Sequence, residues 1–154
     1  MMRYIFRKLR PDARGTATIE LAMALPVLTV MALASIDFVL GFGYKMNLQQ
    51  YAQSGADFVI ANGENLPTDA EVSTEVAAVS GLDPAAISVT KWTECNQAKQ
   101  STYGSCPGAS DNKANYMQIA VTDTYQPILA IEGIADFVPS TALTGTAVVR
   151  IPAP

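Results

Sequence analysis

From Leu21 to Tyr44 the chain is apolar on every side and carries one charge, Asp37; beyond Tyr44 the pattern becomes one-sided. As a helix rising 1.5 Å per residue, the first stretch spans ~36 Å, enough to cross a bilayer with tilt. Pro26 interrupts it, which a membrane helix tolerates because neighbouring groups can satisfy the freed carbonyl. Tyr44, Leu48, Tyr51, Gly55 and Phe58 then recur at steps of four and three, with Gln49, Gln50, Gln53 and Asp57 opposite. That is the period of an amphipathic helix. Asn62-Gly63 supplies a stop. The pattern predicts one helix from about Thr16 to Ala61, ~70 Å long, with its first half in lipid and its second half packed on a globular body.

Past that stop the signals are shorter. Thr68 with Glu71 three residues on reads as a capping box for a helix from Asp69 to Ser80, ended by Gly81. Beyond Pro84 the period changes to two. Ile87, Val89 and Lys91 alternate with Ser88, Thr90 and Trp92, and Tyr116 to Tyr125 places Met117, Ile119 and Val121 on one face. Pro127 opens a short apolar helical stretch, Ile128 to Ile134, and a last strand from Leu143 to Ile151 sets Gly145, Ala147 and Val149 on one side. The expectation is an α+β fold: a long N-terminal transmembrane and amphipathic helix packed on a small antiparallel sheet, with one or two short helices. Three segments result, a basic stretch at 1–15, the helix at 16–61 with its apolar span at 21–44, and an α+β body at 62–154.

Charge orients this arrangement. Arg3, Arg7, Lys8, Arg10 and Arg14 face only Asp12, about +4, whereas after Lys45 four bases stand against eleven acids, about −7. Basic residues close to a spanning segment stay cytoplasmic, so the acidic body lies across the membrane. The same balance argues against nucleic acid as a partner.

Composition also narrows the chemistry. There is no histidine, which removes the commonest general base and the commonest metal ligand. No GxSxG, P-loop, HExxH or GxGxxG pattern occurs. The expectation is a protein that is not an enzyme, with no catalytic group, cofactor or metal. The two cysteines, Cys95 and Cys106, do not have CxxC spacing. Outside a bacterial-type membrane they read as a disulfide. Closing a loop of ~12 residues contributes ~3 kcal/mol in the chain-entropy picture.

The remaining conflict is Glu20, a carboxylate at the lip of the apolar segment. The run Arg14-Gly15-Thr16-Ala17-Thr18-Ile19-Glu20-Leu21-Ala22, then Ala24-Leu25-Pro26-Val27-Leu28, resembles the TadE-like family of pilus assembly proteins. So do Ile36-Asp37-Phe38 and Leu48-Gln49-Gln50-Tyr51-Ala52-Gln53-Ser54-Gly55-Ala56. The resemblance covers about the first third of the chain. It implies a pseudopilin or minor pilin-like subunit of a tight-adherence (Flp) pilus system. Such a subunit sits in the bacterial inner membrane, N-terminus cytoplasmic and body periplasmic, in contact with membrane lipid. It further implies cleavage between Gly15 and Thr16 by a prepilin peptidase, which leaves Glu20 as the fifth residue of the mature chain. The other implied partners are pilin-like subunits and the pilus assembly platform. Thr16 departs from the bulky apolar residue with which major pilins begin, and the body exceeds that of a short Flp-type pilin. Both features favour a minor or priming subunit.

Rival readings rest on the same residues. An uncleaved anchor would let Glu20 snorkel at the cytoplasmic surface. A secretory signal peptide would use Ala32-Leu33-Ala34 before Ser35, but would leave Phe38, Val39, Leu40 and Phe42 exposed on a soluble product. Asp37 sits near the periplasmic headgroups or contacts a neighbouring subunit. Trp92, Tyr103, Tyr116 and Tyr125 read as sheet packing, with a sugar-binding surface as the alternative. A membrane-anchored periplasmic adhesin that never enters a pilus is the corresponding rival function. Glu64, Asp69, Glu71, Glu75, Asp111 and Asp123 lack EF-hand spacing and read as a solvated acidic face.

Overall fold

The computed structural model describes residues 13–63, 65–108, 111–127 and 141–152, with side chains from Ala17 onward. Glu64, the leader up to Asp12 and the expected Ile128–Ile134 helix lie outside the described residues. Two helices, α1 (Ala13–Ala61) and α2 (Asp69–Ser80), precede a single 3-10 turn at Pro84–Ala86. Four strands follow: β1 (Ile87–Cys95), β2 (Ala98–Lys99), β3 (Lys113–Tyr125) and β4 (Thr141–Ile151). The chain divides into two compact units, residues 1–39 and residues 40–154. The α+β expectation is met.

Within the second unit the sheet is antiparallel throughout, in the order β2-β1-β3-β4. Its register places Ile87 opposite Val121, Val89 opposite Ile119, Met117 opposite Val149 and Ile119 opposite Ala147. One face therefore carries Met117, Ile119 and Val121 from β3 with Ala147, Val149 and Ile151 from β4, all buried. These are the period-two positions of the sequence, and each fully buried Val, Ile or Met contributes ~1.5–3 kcal/mol relative to exposure.

α2 forms as its punctuation dictates. Thr68 accepts the Glu71 amide while Glu71 reaches back to the Thr68 amide, and Gly81 closes the helix in the left-handed region at φ 72°. Its buried residues, Val72 and Val76, point into the core. Lys91 on β1 meets Asp69 at 2.7 Å and ties the first turn of α2 to the sheet.

The C-terminal half of α1 closes this core with small residues. Leu48, Ala52, Gly55, Ala56 and Val59 are buried, whereas Tyr44, Tyr51 and Phe58 are only half-buried along one flank. The buried stripe is thus turned by about 60° from the aromatic line that the sequence suggests. The reason is close approach. A Cβ on Gly55 would lie 2.6 Å from Val76 Cγ2 and 3.3 Å from Ile119 Cγ2. A Cβ on Gly145 of β4 would strike the backbone of Leu48 and Gln49. Aromatic rings on that face would hold the helix off the sheet.

Candidate functional site

In the first unit the helix is apolar and almost wholly uncovered. Ile19, Leu21, Met23, Leu25, Val27, Leu28, Val30 and Met31 are all more than half exposed. This helix is long and apolar enough to cross a membrane. Two of its hydroxyls are satisfied internally: that of Thr29 donates to the Leu25 carbonyl and that of Ser35 to the Met31 carbonyl, each at 2.8 Å. Ser and Thr commonly bond back to the i−4 carbonyl in this way. Among these apolar residues Glu20 is exposed, and Asp37 is buried at 8%. The Gly15–Thr16 bond lies in the first turn of α1, where backbone amides have no intrahelical partner and fraying costs little.

The second unit begins where α1 leaves the apolar span. The Tyr44 hydroxyl donates to the Asp123 carboxylate, and its ring lies 5.8 Å from that of Tyr125, tilted by 43°. Gly41 leaves room for this ring: a Cβ there would lie 3.3 Å from Tyr125 Cε1. The C-terminal end of β3 is thereby pinned to the helix at residues 41–44. Sequence periodicity marked both tyrosines but gave no sign that they meet.

At the opposite end of the sheet, Cys95 and Cys106 form the expected disulfide, with a Cα–Cα distance of 5.8 Å. The closed segment is more ordered than a plain loop. β1 turns into β2 through Asn96 and Gln97, both left-handed at φ 51° and 67°. Such a two-residue turn matches the twist of its strands, but its usual signature is Asn-Gly, so the sequence concealed it. Asn96 compensates by donating to Asp111 Oδ1 at 2.7 Å and accepting the Asn112 amide at 3.0 Å. Beneath the loop, buried Thr93 donates to Asn115 Oδ1 and accepts the Gly104 amide, both at 2.7 Å.

Of the candidate aromatic residues, Trp92, Tyr116 and Tyr125 pack on other rings, whereas Tyr103 is exposed. Trp92 stacks on its cross-strand neighbour Tyr116 at 5.5 Å, and the Lys99 ammonium stands 4.7 Å from the Trp92 ring centre. The Trp92 indole donates to Glu94 at 3.0 Å. Among the acids, Asp69 holds Lys91, Glu71 caps α2, Asp111 holds Asn96 and Asp123 takes the Tyr44 hydroxyl. Among the described residues no three His, Cys, Asp or Glu side chains gather as a metal site would require.

Among the described residues the chain thus has one exposed apolar helix long enough to cross a membrane, and this helix continues into an α+β body. Residues 15–57 match the TadE-like protein family, the family that the sequence resembles. The match covers the apolar helix, Glu20, Asp37 and the start of the packed stripe, and links the chain to tight-adherence pilus systems. No curated protein and no solved structure matches the chain.

Proposed function

We propose that this chain is a pseudopilin or minor pilin-like subunit that initiates or supports assembly of a tight-adherence pilus. In this reading it is a structural protein, not a catalyst, anchored in the inner membrane with its body in the periplasm. The observation that carries the reading is the exposed Glu20 on an uncovered apolar helix, inside the segment that matches the TadE-like family.

Physical chemistry gives that residue a use. An intramembrane acid costs ~2.5–3.5 kcal/mol on the insertion scale. Cleavage after Gly15 by a prepilin peptidase frees an ammonium at Thr16, whose ordinary pKa is about 7.7–8.0. In a stack of subunits this ammonium pairs with Glu20 of a neighbour and offsets the cost of the buried charge. Assembly then becomes favourable only after processing.

The test is the N-terminal sequence of the mature protein, by mass spectrometry of membranes from cells with and without the prepilin peptidase. A start at Thr16 that depends on the peptidase is the expected result. A start at Ser35 would identify a secreted domain and remove the assembly mechanism. An intact N-terminus in both strains would leave a plain membrane anchor.

A further inference from the structure

The apolar span does not end where the folded body begins. α1 enters the second unit at Leu40, and there Leu40 and Phe42 are still exposed. The last turn of the span, residues 41–44, already carries a piece of the sheet. Tyr125, the last residue of β3, lies against it: its ring stands 5.8 Å from that of Tyr44, and a Cβ on Gly41 would come 3.3 Å from its Cε1.

Three contacts fix how the sheet runs from there. Along α1, Gly41 meets Tyr125, Leu48 meets Gly145, the partner of Val121, and Gly55 meets Ile119. Each step of seven residues on the helix advances ~10 Å. Positions 125, 121 and 119 of β3 recede in the same sense, at ~3.3 Å per residue. β3 therefore runs back along α1, with Tyr125 and its cross-strand partner Thr141 level with the end of the apolar span. Tyr116, which stacks on Trp92, lies nine residues from Tyr125, ~30 Å along the strand.

The chemistry of this end suits a bilayer surface. Tyrosine is enriched where a span meets the headgroups, because its ring is apolar and its hydroxyl polar. Lys45 follows directly and is exposed. There an ammonium reaches lipid phosphates while its stem stays against apolar surface. Asp123, at the same level, has its carboxylate engaged by the Tyr44 hydroxyl, which leaves less of it to repel those phosphates.

We propose that the Tyr44–Tyr125 end of the body is a lipid-contact surface seated in the headgroup layer, with the disulfide end of the sheet held away from the membrane. The inference rests on the anchoring of α1 in a bilayer, and is independent of cleavage after Gly15 and of Glu20.

The test uses the full chain in nanodiscs of phosphatidylethanolamine and phosphatidylglycerol, doped with a lipid that carries a quenching nitroxide either on its headgroup or at the end of an acyl chain. Trp92 is the single tryptophan and serves as the distant reporter. In a Trp92→Phe background, Ala142→Trp places a reporter beside Tyr125, and Thr124→Trp, on the neighbouring strand, repeats the reading. Both positions are exposed, and an unchanged melting curve checks that each variant is folded. Val30→Trp in the same background reports on the anchor. The headgroup nitroxide is expected to remove most of the emission at positions 142 and 124 and none at Trp92, while the acyl-chain nitroxide quenches position 30. Quenching at position 30 without quenching at 142 and 124 would overturn the proposal and leave the anchor standing. Equal quenching of Trp92 and position 142 would also overturn it, since the body would then have no preferred end at the membrane. Absence of quenching at position 30 would remove the anchor itself, and the lipid surface with it.

Discussion

Gln49 uses both ends of its amide on one residue of β4: Oε1 accepts the Thr146 amide at 3.0 Å, and Nε2 donates to the Thr146 carbonyl. The side chain thus stands in for a neighbouring strand at the sheet edge, and fastens α1 to the sheet from outside the apolar core. Each such bond contributes ~0.5–1.5 kcal/mol net, and water can replace part of it at an exposed edge. Gln49→Ala is expected to destabilise the body by about 1 kcal/mol, read as a lower denaturation midpoint of the full chain in detergent. An unchanged midpoint would mean that water serves Thr146 equally well.

α1 makes two close approaches that depend on glycine, to β4 at Gly145 and to α2 at Gly55, and they differ in what a methyl would meet. At Gly145 a methyl would meet rigid backbone of Leu48 and Gln49, whereas at Gly55 it would meet the end of Val76. Overpacking typically costs ~1–3 kcal/mol and more where nothing can yield. In a helix, alanine recovers up to ~1 kcal/mol over glycine. Gly145→Ala should therefore destabilise by ~3 kcal/mol or more, and Gly55→Ala by ~1–2. Gly43→Ala, with nothing within 4 Å, should leave the melting temperature unchanged or slightly raised. Equal effects at all three positions would show that close approach does not set the packing.

Where local chemistry decides an element, sequence was enough. The Thr68–Glu71 box and Gly81 bounded α2, and the alternation at Met117, Ile119 and Val121 gave the buried face of β3. Where partners far apart in sequence decide, it was not. Gln49 sits on the polar face of α1 and looked solvated until β4 was placed 97 residues away. The buried stripe follows Ala52, Ala56 and Val59 because α2 and β4 demand a thin helix there, a demand invisible within α1 itself. The β1–β2 turn lacks its glycine and is stabilised instead by Asn96 bonds to Asp111 and Asn112. In the candidate site, Glu20 and Asp37 were both legible as charges in an apolar run, but only the structure separates the exposed one from the buried one.

The disulfide closes a segment that hydrogen bonds also hold. Cys95 is 4% exposed and its strand neighbour Thr93 anchors the loop through Gly104 and Gln100. For a loop of ~12 residues the bridge is expected to contribute ~3 kcal/mol. Reduction, or replacement of both Cys95 and Cys106 by serine, should lower stability by about that amount in denaturant titrations. The double variant should no longer respond to dithiothreitol. A loss much smaller than this would assign the loop's order to the Thr93–Asn115 pair.

The capping box gives α2 a pH dependence of defined sign. The Thr68 amide, followed by the Thr68 hydroxyl, holds the Glu71 carboxyl below its ordinary 4.5. Its stabilising contribution is full above 4.5 and is lost as the pH falls through the lower folded value. Glu71→Gln retains an acceptor for Thr68 but cannot titrate. The gap in stability between the native chain and this variant should be open at neutral pH and close in acid, measured by denaturation across that range. A gap independent of pH would remove the carboxylate from the account.

Glu20 and the Gly15–Thr16 bond test the assembly role as a pair. Glu20→Ala should abolish pili while leaving the chain in the membrane with its mature N-terminus, and Glu20→Gln should do the same, because the charge is what the neighbour's ammonium requires. Gly15→Leu should accumulate unprocessed protein and also lack pili, since a side chain there obstructs the close backbone approach a peptidase needs. Two residues that act through one ion pair do not add. The combined variant should then be no worse than either single one when residual assembly is quantified in a partially active background. Piliation is scored by microscopy and processing by mass spectrometry of the same cells. Normal pili from Glu20→Ala would show that the exposed carboxylate serves only to position the helix end at the membrane surface, and the assembly role would lose its mechanism.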